Sequence, residues 1–134
     1  MPGTSTILKH CDMSSSKHTL VLGASDNPSR YSYLAALRLT EHGHPVTLIG
    51  NRKGMVNGIP IQTDKKPLTG IHTVTLYLRP ELQQPLYDYI FSLHPNRIIF
   101  NPGTENSELK QLAESKGIET TEACTLVMLS IGNY

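Results

Sequence analysis

The chain has 134 residues, enough for one domain with its own hydrophobic core. Its 12 basic and 11 acidic residues give a net charge of +1, so bulk electrostatics call for neither nucleic acid nor a membrane surface as partner. No apolar run approaches the ~20 residues that span a bilayer, the N-terminus lacks a secretory pattern, and two cysteines in unrelated contexts, Cys11 and Cys124, fit a reducing cytoplasm.

Residues 1–17 are rich in Ser and Thr, with Ile7 and Leu8 as their apolar neighbours, and read as a mobile arm in which Met13 is an alternative start. The domain proper is expected over 18–134. Thr19 to Leu22 is a run of strand formers ending at Gly23. A polar turn through Arg30 then opens a helix carrying Tyr33, Ala36 and Leu37 on one side and ending at Gly43. Val46 to Ile49 is a second strand, ending at Gly50. Gly54 to Leu68 breaks the rhythm and is read as a short extra strand or extended loop, with at most a helical turn near Pro67.

Thr73 to Leu78 is a third strand, ending before Arg79-Pro80. Leu82, Leu86, Tyr89, Ile90 and Leu93 fall on one stripe of a helix stopped by Pro95. Arg97 to Phe100 is a fourth strand. The helix after it places Leu109, Leu112 and Ala113 on one face and closes at Lys116-Gly117. A fifth strand is expected near Ile118 to Thr121. Strands alternating with helices at this spacing mean right-handed βαβ units and a doubly wound, parallel α/β sheet of five strands in a single domain.

In such sheets ligands bind beyond the carboxyl ends of the strands. The first end, Gly23-Ala24-Ser25 with Asn27, Arg30 and Ser32, reads as a phosphate turn: a glycine for the sharp bend, hydroxyls and helix N–H donors, and a guanidinium. An ordinary strand-to-helix turn with an exposed arginine would read the same. The dinucleotide fingerprint G-x-G-x-x-G is absent, since Ser25, Pro28 and Arg30 follow Gly23.

The second end, Asn51-Arg52-Lys53, carries two cations where an NAD site wants an acid for the ribose hydroxyl. They suit an extra ribose phosphate, as in NADP or coenzyme A, and equally a solvated basic turn. The third end, Leu78-Arg79-Pro80, offers a rigid wall for a flat base, or simply a helix that starts with proline. The fourth, Asn101 to Gly103, offers amide groups and close backbone approach, or a tight turn before a capped helix.

Recognisable catalytic sets are missing: the chain has no HExxH, CxxC, Gly-x-Ser-x-Gly or Walker loop. The six histidines are scattered in sequence, with His42 and His44 read as surface residues and no metal role expected. Cys124 fits either a reactive thiol or a small buried hydrophobe.

Taken together, these stretches resemble the small stand-alone CoA-binding domain proteins, which are similar to the N-terminal domain of the succinyl-CoA synthetase alpha subunit. The resemblance runs over residues 18 to 134. It rests on Gly23-Ala-Ser25 with Pro28, Arg30 and Ser32, Asn51-Arg-Lys53-Gly54, Gly58-Ile-Pro-Ile, Leu78-Arg-Pro80-Glu, Asn101-Pro-Gly103-Thr-Glu-Asn106 and the tail Cys124-Thr-Leu-Val-Met-Leu. It implies a Rossmann-like fold with CoA phosphates at Gly23 to Arg30 and near Lys53, adenine near Leu78 to Pro80, and pantetheine towards Asn101 to Gly103. The expectation is therefore a cytoplasmic, non-catalytic CoA- or acyl-CoA-binding protein with a small-molecule nucleotide ligand. The alternatives are an NADP-dependent oxidoreductase and a ligand-free interaction module using Met128 and Leu129.

Overall fold

The computed structural model describes residues 16–134. The arm expected over 1–17 falls, up to residue 15, outside the described residues. The strands are β1 (Thr19–Leu22), β2 (Val46–Ile49), β3 (Gly54–Val56), β4 (Ile59–Gln62), β5 (Thr73–Leu76), β6 (Arg97–Phe100) and β7 (Glu119–Glu122). The helices are α1 (Tyr31–Glu41), α2 (Pro80–Gln83), α3 (Tyr87–Ser92), α4 (Ser107–Ser115) and α5 (Thr125–Ile131), with a 3-10 turn at Gln84–Leu86.

The strands form one sheet in the order β3-β4-β2-β1-β5-β6-β7, parallel throughout except for the β3–β4 pair. Setting β3 aside, the remaining six stand in the 3-2-1-4-5-6 order of a doubly wound dinucleotide-binding sheet. The order reverses between β1 and β5, which opens a crevice at their carboxyl ends.

Side chains alternate across each strand, so each central strand feeds two cores. Leu20, Leu22, Val74, Leu76, Ile98 and Phe100 point to the face covered by Ile90 and Leu93 from α3 and its end, and by Leu109 and Ala113 of α4. Val21, Leu48 and Ile99 point to the opposite face, against Ala36 and Leu39 of α1 and Met128 and Leu129 of α5.

The five-strand expectation is corrected to seven. The segment after Gly54 forms two strands rather than one: Asn57 and Gly58 both take positive φ and close a two-residue hairpin, while β4 pairs with β2 in parallel. No helical turn forms near Pro67. The single helix expected over Leu82 to Leu93 is broken, because Pro85 has no N–H to continue the ladder and a 3-10 turn resets the phase. Leu82 consequently faces solvent, and Gln83 takes the buried position. Leu112 is also exposed, leaving Leu109 and Ala113 as the buried pair of α4. The tail forms a helix, α5, that periodicity did not mark.

Candidate nucleotide-binding crevice

Backbone geometry sets the first turn. Gly23 takes φ +95°, and a side chain there would meet the backbone of Tyr77 and the side chain of Leu78 at 3.0–3.1 Å. The N–H groups of Gly23 and Ala24 both donate to the Ile49 carbonyl, at 3.0 and 2.9 Å, which fastens the end of β1 to the end of β2. The Asn27 side chain closes an Asx turn, accepting from the Ser29 N–H and hydroxyl at 3.0 and 2.8 Å. Ser25 Oγ accepts from the Asn27 N–H at 3.1 Å.

Helix α1 then starts at an N-cap, Arg30, with no side-chain cap and no acid in its first turn. Its first turn thus has no side chain capping its amides and no acid of its own set against the dipole. Arg30 is exposed. Ser32, by contrast, is only 4% exposed.

The second basic turn leans directly on the first. A Cβ on Gly50 would lie 2.4 Å from the Ala24 carbonyl oxygen, and one on Gly54 would lie 2.6 Å from an Asp26 carboxylate oxygen. At Gly50, where the neighbour is backbone, only hydrogen fits; at Gly54 a side chain would have to displace the Asp26 carboxylate. Asn51, Arg52 and Lys53 stand exposed between these two glycines. Neither cation forms an ion pair among the described residues. The two turns that sequence reading treated separately are one surface. Asp26, which that reading passed over, places a carboxylate at their junction.

The third and fourth strand ends are occupied differently. Arg79 pairs with Glu81 at 3.0 Å, both exposed, and Pro80 is the first residue of α2. Leu78 borders Gly23. The Asn101 side chain is 3% exposed and fully engaged: its amide donates to Thr75 Oγ1 at 2.7 Å and the Leu76 carbonyl at 2.8 Å, and its oxygen accepts from the Thr125 N–H at 2.9 Å. Asn101 therefore braces β5, β6 and the start of α5. The tight-turn reading fits this loop: Gly103 takes φ +91° and its N–H donates to Glu105, while Asn106 caps α4 through Glu108 and Leu109.

Gln83 went unmarked in sequence because a polar residue on a helix reads as surface. It is buried, and its amide donates to the Leu78 and Thr104 carbonyls at 2.7 and 2.8 Å, tying the third strand end to the fourth. Cys124 is half-buried at the N-cap of α5. Nearby, the Tyr77 hydroxyl is buried close to the Thr75–Thr125 hydroxyl pair without meeting hydrogen-bond geometry. Burial raises its pKa well above the ordinary tyrosine range.

Three of the scattered histidines gather at the amino ends of the central strands. His18, His44 and His72 each precede a strand, and all three are held below the ordinary imidazole pKa, chiefly by burial. His44 is half-buried rather than at the surface, and its Nδ1 accepts from the Lys17 N–H at 3.0 Å. Beside it, Tyr134 is gripped by Arg97, 4.4 Å from its ring, and its backbone oxygen accepts from Lys17 and Arg97 at 2.6 and 2.9 Å. This cluster closes the amino ends of the strands and lies away from the crevice. Among the described residues no group of three His, Cys, Asp or Glu side chains could hold a metal ion, and no helix is long and apolar enough to cross a membrane.

A family model described as CoA binding domain matches residues 17–130. A solved structure of an uncharacterized protein is 49% identical, with TM-score 0.88 over 90% of this chain and 99% of that one. The PH1109 protein redesigned for binding is 18% identical, with TM-score 0.80 over 91% of this chain and 88% of its own. A structure of cell-free ID.343 from Thermus thermophilus is 20% identical, with TM-score 0.75 over 93% and 96%. The last two similarities concern the fold alone. Curated proteins give no match.

Proposed function

The chain belongs to the CoA binding domain family, and on that premise we propose that it is a non-catalytic cytoplasmic protein that binds CoA or an acyl-CoA across the carboxyl ends of its strands. The observation that carries the reading is the contact between the two turns at Gly50 and Gly54. It joins the uncapped start of α1 and Arg30 to Arg52 and Lys53, so one surface has donors for a pyrophosphate and cations for a further ribose phosphate. Ser25, Asn27 and Asn51 complete this part. Leu78 and Pro80 are assigned the adenine wall, with Arg79 as its outer edge, and the backbone at Gly103 the pantetheine side. The Asn101 side chain is assigned a bracing role, since its hydrogen bonds are spent internally.

An isothermal titration series with CoA, dephospho-CoA and NADP tests this. CoA is expected to bind most tightly and to raise the melting temperature. Absence of heat and of thermal stabilisation with CoA would overturn the reading. Tighter binding of NADP than of CoA would move the assignment to a reductase.

A further inference from the structure

The ligand reading leaves Asp26 without a task, although its carboxylate stands where the two turns meet. Its Oδ2, Cγ and Cβ lie 2.6, 3.0 and 3.1 Å from the point that a Cβ on Gly54 would occupy, so the carboxylate arm rests along bare backbone of the second turn. Asp26 is exposed, and among the described residues it forms no ion pair, either with Arg52 or with Lys53. In a dinucleotide-binding sheet the acid that accepts from the ribose follows the second strand. Here Asn51, Arg52 and Lys53 follow it, and none is an acid. Asp26 supplies a carboxylate to the same turn from the neighbouring loop.

An acid beside two cations works against a phosphorylated ligand unless some donor of that ligand meets it. On a ribose whose 3′-oxygen carries a phosphate, the adjacent carbon offers such a donor, the 2′-hydroxyl. Resting on the CoA reading, we propose that Asp26 accepts a hydrogen bond from the free ribose 2′-hydroxyl while Arg52 and Lys53 hold the 3′-phosphate. A phosphate on the 2′-oxygen instead removes that donor and sets like charge against the carboxylate. Asp26 thus reads which ribose oxygen is phosphorylated. Adenosine ligands with a 3′-phosphate are accepted, and those with a 2′-phosphate, NADP among them, are disfavoured. Gly54 is the positioning residue, since a side chain there would push the carboxylate off the turn.

Titration calorimetry of the full chain with CoA, adenosine 3′,5′-bisphosphate, its 2′-deoxy analogue and adenosine 2′,5′-bisphosphate tests this. The natural sequence is expected to bind the 3′,5′ compound about tenfold more tightly than either the 2′-deoxy or the 2′,5′ compound, the lower end for a hydrogen bond to a charged group. Asp26→Ala is expected to weaken CoA and the 3′,5′ compound about tenfold and to abolish both preferences. Gly54→Ala keeps the charge but moves the carboxylate, and is expected to lose the same preferences. Both variants are expected to melt with the parent, because Asp26 is exposed and only the end of its side chain is displaced. Tighter binding of every compound by Asp26→Ala would mark the carboxylate as a bare repulsion and overturn the proposal. So would a preference for the 2′,5′ isomer, or CoA affinity that Asp26→Ala leaves unaltered, while the CoA reading stands. A natural sequence that binds neither CoA nor any bisphosphate overturns the CoA reading itself, and the proposal with it.

Discussion

Gly50→Ala is the sharpest probe of the contact on which the ligand reading depends. The new Cβ would lie 2.4 Å from the Ala24 carbonyl oxygen and 3.1 Å from the Ile61 side chain. The first overlap is with backbone, so its relief requires a shift of roughly 1 Å of one turn relative to the other. Overpacking of this size costs about 1–3 kcal/mol. Gly50 is not among the glycines at positive φ, so alanine meets no conformational penalty and regains about 0.4–1 kcal/mol through the unfolded chain. The net loss is about 1–2 kcal/mol, a fall in melting temperature of roughly 3–10 °C for a domain of this size. Differential scanning fluorimetry, alone and with saturating CoA, measures both consequences. The stabilisation by CoA should shrink as well, because the moved turn carries the two cations away from the helix terminus. A variant that melts with the parent and keeps the full CoA shift would refute the claim that the turns form one rigid surface.

Other perturbations separate bracing from binding. Asn101→Ala strands the Thr125 N–H and loosens Thr75 and the Leu76 carbonyl, at a cost of about 2–4 kcal/mol in urea denaturation, with CoA affinity of the folded fraction little changed. Tyr134→Ala removes a ring packed under Arg97 and beside His44, together with a hydroxyl bonded to Thr19, and is expected to cost about 2–4 kcal/mol. The histidine cluster sets the pH dependence. His18, His44 and His72 have folded pKa values below 6.5, so the unfolded chain takes up protons first as pH falls. Stability is therefore fully present above about pH 7 and declines as pH falls through 6.5 towards the lower folded values. Denaturation midpoints that rise between pH 7.5 and 5.5 would contradict this.

The alternation of strand and helix was legible because each central strand is buried on both faces and so reads as a short apolar run between breakers. The edge was harder. β3 and β4 are short and half-exposed and carry Pro60, so composition alone suggested a loop, yet Asn57-Gly58 between two apolar positions is the two-residue hairpin signal and was present in the sequence. Pro85 likewise carried the break in the second helical stretch, which the stripe from Leu82 to Leu93 concealed. For the site, residue types named the two turns but could not show that they touch. That contact depends on Gly50 and Gly54 lacking a side chain opposite residues from another element. Nor could type distinguish the Asn101 and Gln83 amides, both engaged in internal hydrogen bonds, from ligand contacts.

The central claim is that Arg52 and Lys53 recognise a ribose phosphate, and a cycle that alters protein and ligand separately tests it most directly. Calorimetric affinities of CoA and dephospho-CoA are measured for the parent and for the Arg52→Ala, Lys53→Ala variant. Removing the 3′-phosphate and removing the cations should each weaken binding, and the two losses should overlap by about 1.5–3 kcal/mol, the worth of a charge-assisted contact. Strictly additive losses would contradict the claim and leave those cations as a solvated turn.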